Sequence, residues 1–164
     1  MRKKEFSFLK WGVVLVFLNS CICLASNCNN CCNSYSEISE PRRSVNSTLK
    51  PGQTALCDRL LPYGWDRFTS FGGTKMPETP VARLHCGTYQ PIWLLDRHPT
   101  EDEGNLARQV CTCGFGNICL YSTTINVKKC PGEYFVYYLR PLLFYGTAYC
   151  AGKETKLNVP QGLL

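Results

Sequence analysis

Between about residue 64 and residue 150 the apolar positions come in short runs that end at turn residues. Trp65 to Phe71 alternates around Phe68 and stops at Gly72-Gly73. Tyr89 to Leu95 is apolar and β-prone, and Leu106 to Cys113 is a weaker run of the same kind. Asn117 to Lys129 carries Ile118, Leu120, Tyr121, Ile125 and Val127. Glu133 to Leu139 (Glu-Tyr-Phe-Val-Tyr-Tyr-Leu) is the strongest strand signal. The last two runs flank Cys130-Pro131-Gly132-Glu133 and read as a β-hairpin. Residues 86–99 are the centre of the pattern: Cys86 opens them, Trp93 sits in the middle and His98-Pro99 ends them. Past residue 25 no long window holds a 3.6-residue period. The pattern predicts a mainly β fold: a compact, mostly antiparallel domain stapled by disulfides, with little helix and an irregular N-terminal arm.

The first 25 residues read differently. Arg2, Lys3, Lys4 and Lys10 precede the uncharged apolar run Trp11 to Ala25, which ends in Cys23-Leu24-Ala25. This is a signal-peptide pattern with cleavage after Ala25. A membrane anchor needs roughly 20 apolar residues, more than this run supplies, and no later segment is long and apolar enough to span.

Removing residues 1–25 changes the charge and the cysteine count. The full chain has 18 Lys+Arg, 12 Asp+Glu and a net charge of +6. Four of the former and one of the latter fall in the signal, leaving 14 against 11, or +3. That excess is too small to indicate nucleic acid or an anionic membrane surface, and with no spanning segment no stable membrane insertion is expected. The 12 cysteines lose Cys21 and Cys23, leaving ten. An even number in a secreted chain of this size indicates one disulfide-stapled domain.

Residues 26–56 read as an arm, with Cys28, Cys31 and Cys32 among Asn and Ser, then Pro41 and Pro51-Gly52. Such composition buries little apolar surface, so the cysteines are expected to tether it. In an oxidising compartment Cys28-x-x-Cys31 fits a structural bridge better than zinc or redox chemistry. Arg42-Arg43 reads as solvated charge rather than a processing site, because Glu40 is unfavourable for cleavage. The sequon Asn46-Ser47-Thr48 marks Asn46 for an N-glycan on exposed chain.

A family resemblance rests on ordered residues. They are Gly64-Trp65-x-Arg67-Phe68, Gly72-Gly73, Met76-x-Glu78-Thr79, Cys86-x-Thr88, Pro91-x-Trp93-Leu94 and His98-Pro99. Glu103-Gly104, Arg108-x-x-Cys111, Val127-Lys128-x-Cys130, Tyr134-x-Val136-Tyr137 and Tyr149-Cys150 continue the series. Together they resemble the eight-cysteine module of the uromodulin and pancreatic secretory-granule glycoprotein family over residues 57–151, leaving 152–164 as a tail. The resemblance implies a secreted, non-catalytic β domain. In those relatives the module displays a high-mannose glycan, just after the Trp-Leu, that type 1 fimbriae grip. Here the position reads Leu95-Asp96-Arg97, without Asn, so the decoy role does not carry over.

The same resemblance implies the bridges Cys86–Cys150 and Cys111–Cys119. Pro80, Ile118 and Tyr145 stand where the family has half-cystines, and Cys113 is extra. Pro80 with Ile118 implies a pair lost together, about 2–4 kcal/mol of cross-linking without a stranded thiol. Tyr145 would remove the partner of Cys57, for which Cys113 is the natural replacement. Cys130 then takes Cys31 or Cys32 from the arm.

Candidate chemistry is sparse. His85 and His98 are the only side chains that titrate near neutral pH without a large shift, so an enzyme would use one of them. No nucleophile-elbow motif accompanies them. Glu101-Asp102-Glu103 is a single acidic cluster, and three adjacent side chains rarely converge on calcium. Trp65, Trp93 and the tyrosines of 134–138 fit a core better than a sugar site. A small cationic defence protein is disfavoured by the +3 charge and the lack of a basic amphipathic helix. The expected function is therefore a secreted, disulfide-rich binding or structural module, without cofactor, whose partner is an extracellular protein or glycan.

Overall fold

The computed structural model describes residues 28–152. The signal segment and all but the first residue of the tail lie outside the described residues. Among the described residues, seven strands form one curled sheet: β1 (Ser36–Ile38), β2 (Gly64–Phe68), β3 (Gln90–Leu94), β4 (Asn105–Thr112), β5 (Tyr121–Cys130), β6 (Tyr134–Leu139) and β7 (Thr147–Tyr149). Their order is β1-β2-β6-β5-β4-β3-β7. The four inner pairings are antiparallel, while β1 joins β2 and β7 joins β3 in parallel. The helical content described is two three-residue 3-10 turns, Pro41–Arg43 and Asp58–Leu60. No helix among the described residues is long and apolar enough to cross a membrane.

Strand alternation builds the core. Ile92 and Leu94 of β3, Val110 of β4, Ile125 and Val127 of β5, and Phe135, Tyr137 and Leu139 of β6 share one buried cluster with Phe68, Met76 and Tyr149. Their neighbours in sequence face the other side. There Trp93 packs with Cys86, Cys111, Cys113, Cys150 and Val81, and Val136 packs with Cys31 and Cys130. Disulfides thus cover the side of the sheet that has too few large side chains to cover itself.

The arm is more structured than its composition predicts. Its cysteines do tether it, but backbone pairing and one ion pair hold it as well. Tyr35 meets the Tyr134 ring edge-on at 6.0 Å, and the Arg67 guanidinium lies 3.9 Å over the same ring. Ile38 packs against the main core. Beyond β1 the chain crosses to the far edge of the sheet. The Val45 N–H donates to Ala151 O at 3.0 Å, and the Ala151 N–H to Arg43 O at 2.8 Å. Residues 36–45 are therefore a strap that caps both sheet edges, which would otherwise expose unpaired backbone groups. Gly72 makes the close fit of the strap possible: a Cβ there would lie 2.6 Å from the Pro41 carbonyl oxygen.

Arg42-Arg43 is only half solvated charge. Arg42 remains partly exposed on Glu40, but Arg43 is buried. Its guanidinium donates to both oxygens of Asp58, at 2.7 and 2.6 Å, and to Tyr149 O at 3.0 Å. The expectation of solvent exposure fails at Arg43 because the strap folds it against a buried carboxylate, the pairing that burial of a charge requires.

Candidate functional site

The cysteines form the first part of the site. The structure pairs Cys86 with Cys150, Cys111 with Cys119, Cys32 with Cys130 and Cys28 with Cys31, at Cα separations of 5.5, 5.4, 5.7 and 4.9 Å. These lie inside the range a disulfide spans. Cys31 goes to Cys28, so the arm reaches Cys130 through Cys32.

The expected Cys57–Cys113 bridge is not formed, and both thiols are free. Their surroundings give the reason. The Thr88 hydroxyl bonds Leu56 O at 2.9 Å and Gly146 O at 2.6 Å, so Cys57 neighbours the loop that holds Tyr145. Cys113 lies instead in the Trp93 cluster with Val81, and its thiol donates to Ile118 O at 3.0 Å. Each thiol thus sits beside positions where the sequence departs from the eight-cysteine pattern, Cys57 by Tyr145 and Cys113 by Pro80 and Ile118. Cys57 and the extra Cys113 thus lie in different surroundings, and neither meets the other.

The loop after Trp93-Leu94 is ordered by its own side chains. Leu95 is exposed, and the Asp96 carboxylate accepts from the Gln109 N–H at 2.7 Å. Arg97 pairs with Glu103, whose carboxylate also takes the Thr100 N–H at 2.8 Å. The Arg97 bond, with help from Thr100, holds Glu103 down at about 2. The 101–103 cluster therefore spends one carboxylate on the loop itself, and no cluster of three potential metal ligands occurs among the described residues. Asn46 is exposed on the turn that follows the strap, between Ser44 and Thr48, which each make an isolated β-bridge.

The two histidines are apart and play different parts. His85 is half-buried, with Nδ1 2.7 Å from Val45 O. His98 is buried and lies in a chain: Nδ1 against the Glu78 carboxylate, and Nε2 2.8 Å from the Tyr137 hydroxyl. The Met76 N–H donates to that hydroxyl at 3.0 Å. Burial raises the Glu78 carboxyl, but the His98 bonds, aided by Lys75, outweigh it and bring the group to about 2. Burial pushes the Tyr137 phenol the other way, well above its ordinary value. The ring of His98 lies 4.3 Å from that of Phe135. The order carboxylate, imidazole, hydroxyl resembles a catalytic relay, but its hydroxyl is inside the core, where it fastens the 74–78 segment and the start of the 98–104 loop to β6.

One polar feature escaped the sequence reading altogether. Asp66 is buried, and its Oδ2 lacks a hydrogen-bond partner. Burial, and then the Asp58 charge, raise it to about 7 against the opposing pull of Arg43. No sequence signal distinguishes Asp66 from a surface residue; its neighbours Trp65 and Arg67 are half-exposed.

Comparison with known proteins places this architecture. Residues 66–151, which hold the last three residues of β2 and every strand from β3 to β7, match the family model described as the uromodulin-like domain. The pancreatic secretory granule membrane major glycoprotein GP2 of Canis lupus familiaris is 40% identical over 124 residues, 76% of this chain and 24% of the relative. Uromodulin of Rattus norvegicus is 40% identical over 123 residues, 75% of this chain and 18% of the relative. GP2 of Homo sapiens is 37% identical over 124 residues, 75% and 22% respectively. The matched region thus covers a quarter or less of the length of these relatives.

Proposed function

The chain belongs to the uromodulin-like domain family, and from that premise we propose that it is a secreted, non-catalytic binding or structural module for an extracellular protein or glycan. The observation that carries this reading is the family match over residues 66–151. Two relatives are named as secretory-granule membrane glycoproteins. That supports passage through the secretory pathway, removal of residues 1–25 and a glycan on Asn46. Disulfides persist in that oxidising route.

The use of the reactive side chains agrees with a module that does no chemistry. Eight of the ten cysteines among residues 28–152 are in bridges. His85 bonds a backbone carbonyl and His98 is enclosed between Glu78 and Tyr137. A catalytic His needs a ring nitrogen within hydrogen-bond reach of the proton it takes from or gives to a substrate. The loop after Trp93-Leu94 offers Leu95, Asp96 and Arg97 in place of a glycan site, so we expect weak binding to mannose-specific fimbriae.

The test is affinity capture from extracellular fluid with the mature protein, with and without its Asn46 glycan. Specific retention of one protein or glycoconjugate is the expected result. Turnover of an ester, peptide or glycoside substrate that is lost in His98→Asn, with folding intact, would overturn the reading.

A further inference from the structure

Exposed apolar side chains are not spread evenly over this domain. Strand register brings four loops to one pole of the sheet. Gly64 pairs with Leu139, Thr112 with Tyr121, Ile92 with Thr112, and Gln90 with Thr147. Segments 57–63, 82–89, 113–120 and 140–146 therefore emerge together. They are tied: the Leu142 N–H donates to Asp58 O at 3.0 Å, Thr88 bridges Leu56 and Gly146, and the Tyr121 and Phe144 rings meet edge-on at 5.2 Å. Of the 12 large apolar side chains exposed among the described residues, Tyr63, Tyr89, Phe115, Leu143, Phe144 and Tyr145 are among those at this pole. Phe115 is 91% exposed, and Leu143 and Tyr145 are each 70% exposed. Exposed apolar side chains gathered at one end of a domain mark an interaction site more often than scattered ones do.

Charge identifies the occupant. The exposed or half-exposed charged side chains of the four loops are Arg59, Arg83 and Arg140, alongside half-buried His85. Their one carboxylate, Asp58, is buried on Arg43. Arg83 already lies 4.0 Å over the Phe115 ring. The exposed carboxylates of the opposite loops, Glu78, Asp96, Glu101, Asp102, Glu103 and Glu133, are all at the other pole. Two copies joined pole to pole by a two-fold axis would set arginine against arginine, which opposes association. The described chain also begins and ends at the far pole, with Cys28 near the Cys32–Cys130 bridge and Gly152 on Lys75.

We propose that this aromatic and arginine-bearing pole is the docking surface of the module, and that its occupant is a protein segment with apolar side chains flanked by carboxylates. Tyrosine, phenylalanine and arginine are the side chains that concentrate binding energy at interfaces. The proposal rests on the binding role argued above and adds where the partner sits and its chemistry.

The test uses the secreted protein and two fluorescent peptides that alternate Leu and Phe with either Glu or Lys. Wild type should bind the Glu peptide about tenfold or more tightly than the Lys peptide, with affinity falling as salt rises. The variant Leu143→Ser with Tyr145→Ser should lose about tenfold in affinity with an unchanged melting curve, since both side chains are exposed. Arg59→Glu should narrow the preference between the peptides. Equal affinity for both peptides, or no effect of the pole substitutions, would overturn the proposal. So would sedimentation showing self-association that the double variant abolishes, since the occupant would then be a second copy. A ligand captured from extracellular fluid equally by wild type and double variant would sink this surface while leaving the binding role in place.

Discussion

Arg43 of the strap and Asp58 of the second 3-10 turn form a two-pronged ion pair, Nη2 to Oδ1 at 2.6 Å and Nη1 to Oδ2 at 2.7 Å, with both side chains buried. The pair does more than cancel charge. Arg43 also bonds Tyr149 O, and Asp58 takes the Tyr149 N–H at 2.8 Å. Two side chains 15 positions apart in sequence thus complete the edge of β7 that faces away from its partner strand β3.

Removing one partner should therefore cost more than a surface ion pair would. Arg43→Ala leaves Asp58 buried and unpaired, and is expected to destabilise the domain by about 3–5 kcal/mol. Arg42→Ala, whose salt bridge to Glu40 is partly exposed, should cost no more than about 1 kcal/mol. Thermal and denaturant melts of the two variants make the comparison. Equal losses would show that the strap is not anchored at Arg43.

Asp66 should give the domain an unusual pH dependence. Its carboxyl is raised to about 7 in the folded state, chiefly by burial and then by Asp58. A raised value means the folded state holds the proton more tightly than the unfolded chain does. That stabilisation is complete below about pH 4, the ordinary carboxylate value, and is lost as pH rises through 7. Asp66→Asn, which carries no charge at any pH, should flatten the decline between pH 4 and 7, by about 1–3 kcal/mol relative to wild type. Parallel stability curves for the two proteins would refute the assignment.

The two free thiols should differ in access. Cys57 is half-exposed and Cys113 is buried. Iodoacetamide added to folded protein is expected to label Cys57 alone, and to label both after unfolding without reductant. Non-reducing peptide maps should then return the four bridges and no Cys57–Cys113 peptide. Finding that peptide would restore the pairing the sequence suggested.

Asn46 should carry the N-glycan without supporting the fold. Its side chain is exposed, so Asn46→Gln is expected to remove one mobility step on a gel and move stability by no more than about 0.5 kcal/mol. An unshifted band would mean the sequon is unused, and a large loss of stability would mean the glycan or the turn it sits on supports the strap.

Much of the fold was legible because its signal is local. β2 to β6 overlap the five apolar runs read from the sequence, and the hairpin lies at Pro131-Gly132 as the turn residues required. β1 and β7 were not legible. Each is three residues long and each pairs in parallel with a strand distant in sequence. Ser36-Glu37-Ile38 has no alternation to detect, and its pairing with Asp66 to Phe68 depends on where the Cys32–Cys130 bridge delivers the chain.

The sequence by itself determined the fold class, the family and most of the strands, since alternation and turn chemistry act within a few residues. It also showed that Leu95-Asp96-Arg97, the stretch after Trp93-Leu94, holds no Asn. Tertiary structure alone decided which side chains share a neighbourhood. It made Arg43 a buried anchor rather than solvated charge, set Cys57 and Cys113 apart, raised Asp66 and gathered Tyr63, Tyr89, Phe115 and Tyr145 at one pole. The physical reason is common to all four. Burial, pairing and exposure depend on contacts across tens of residues, and the identity of a residue does not encode what will be folded against it.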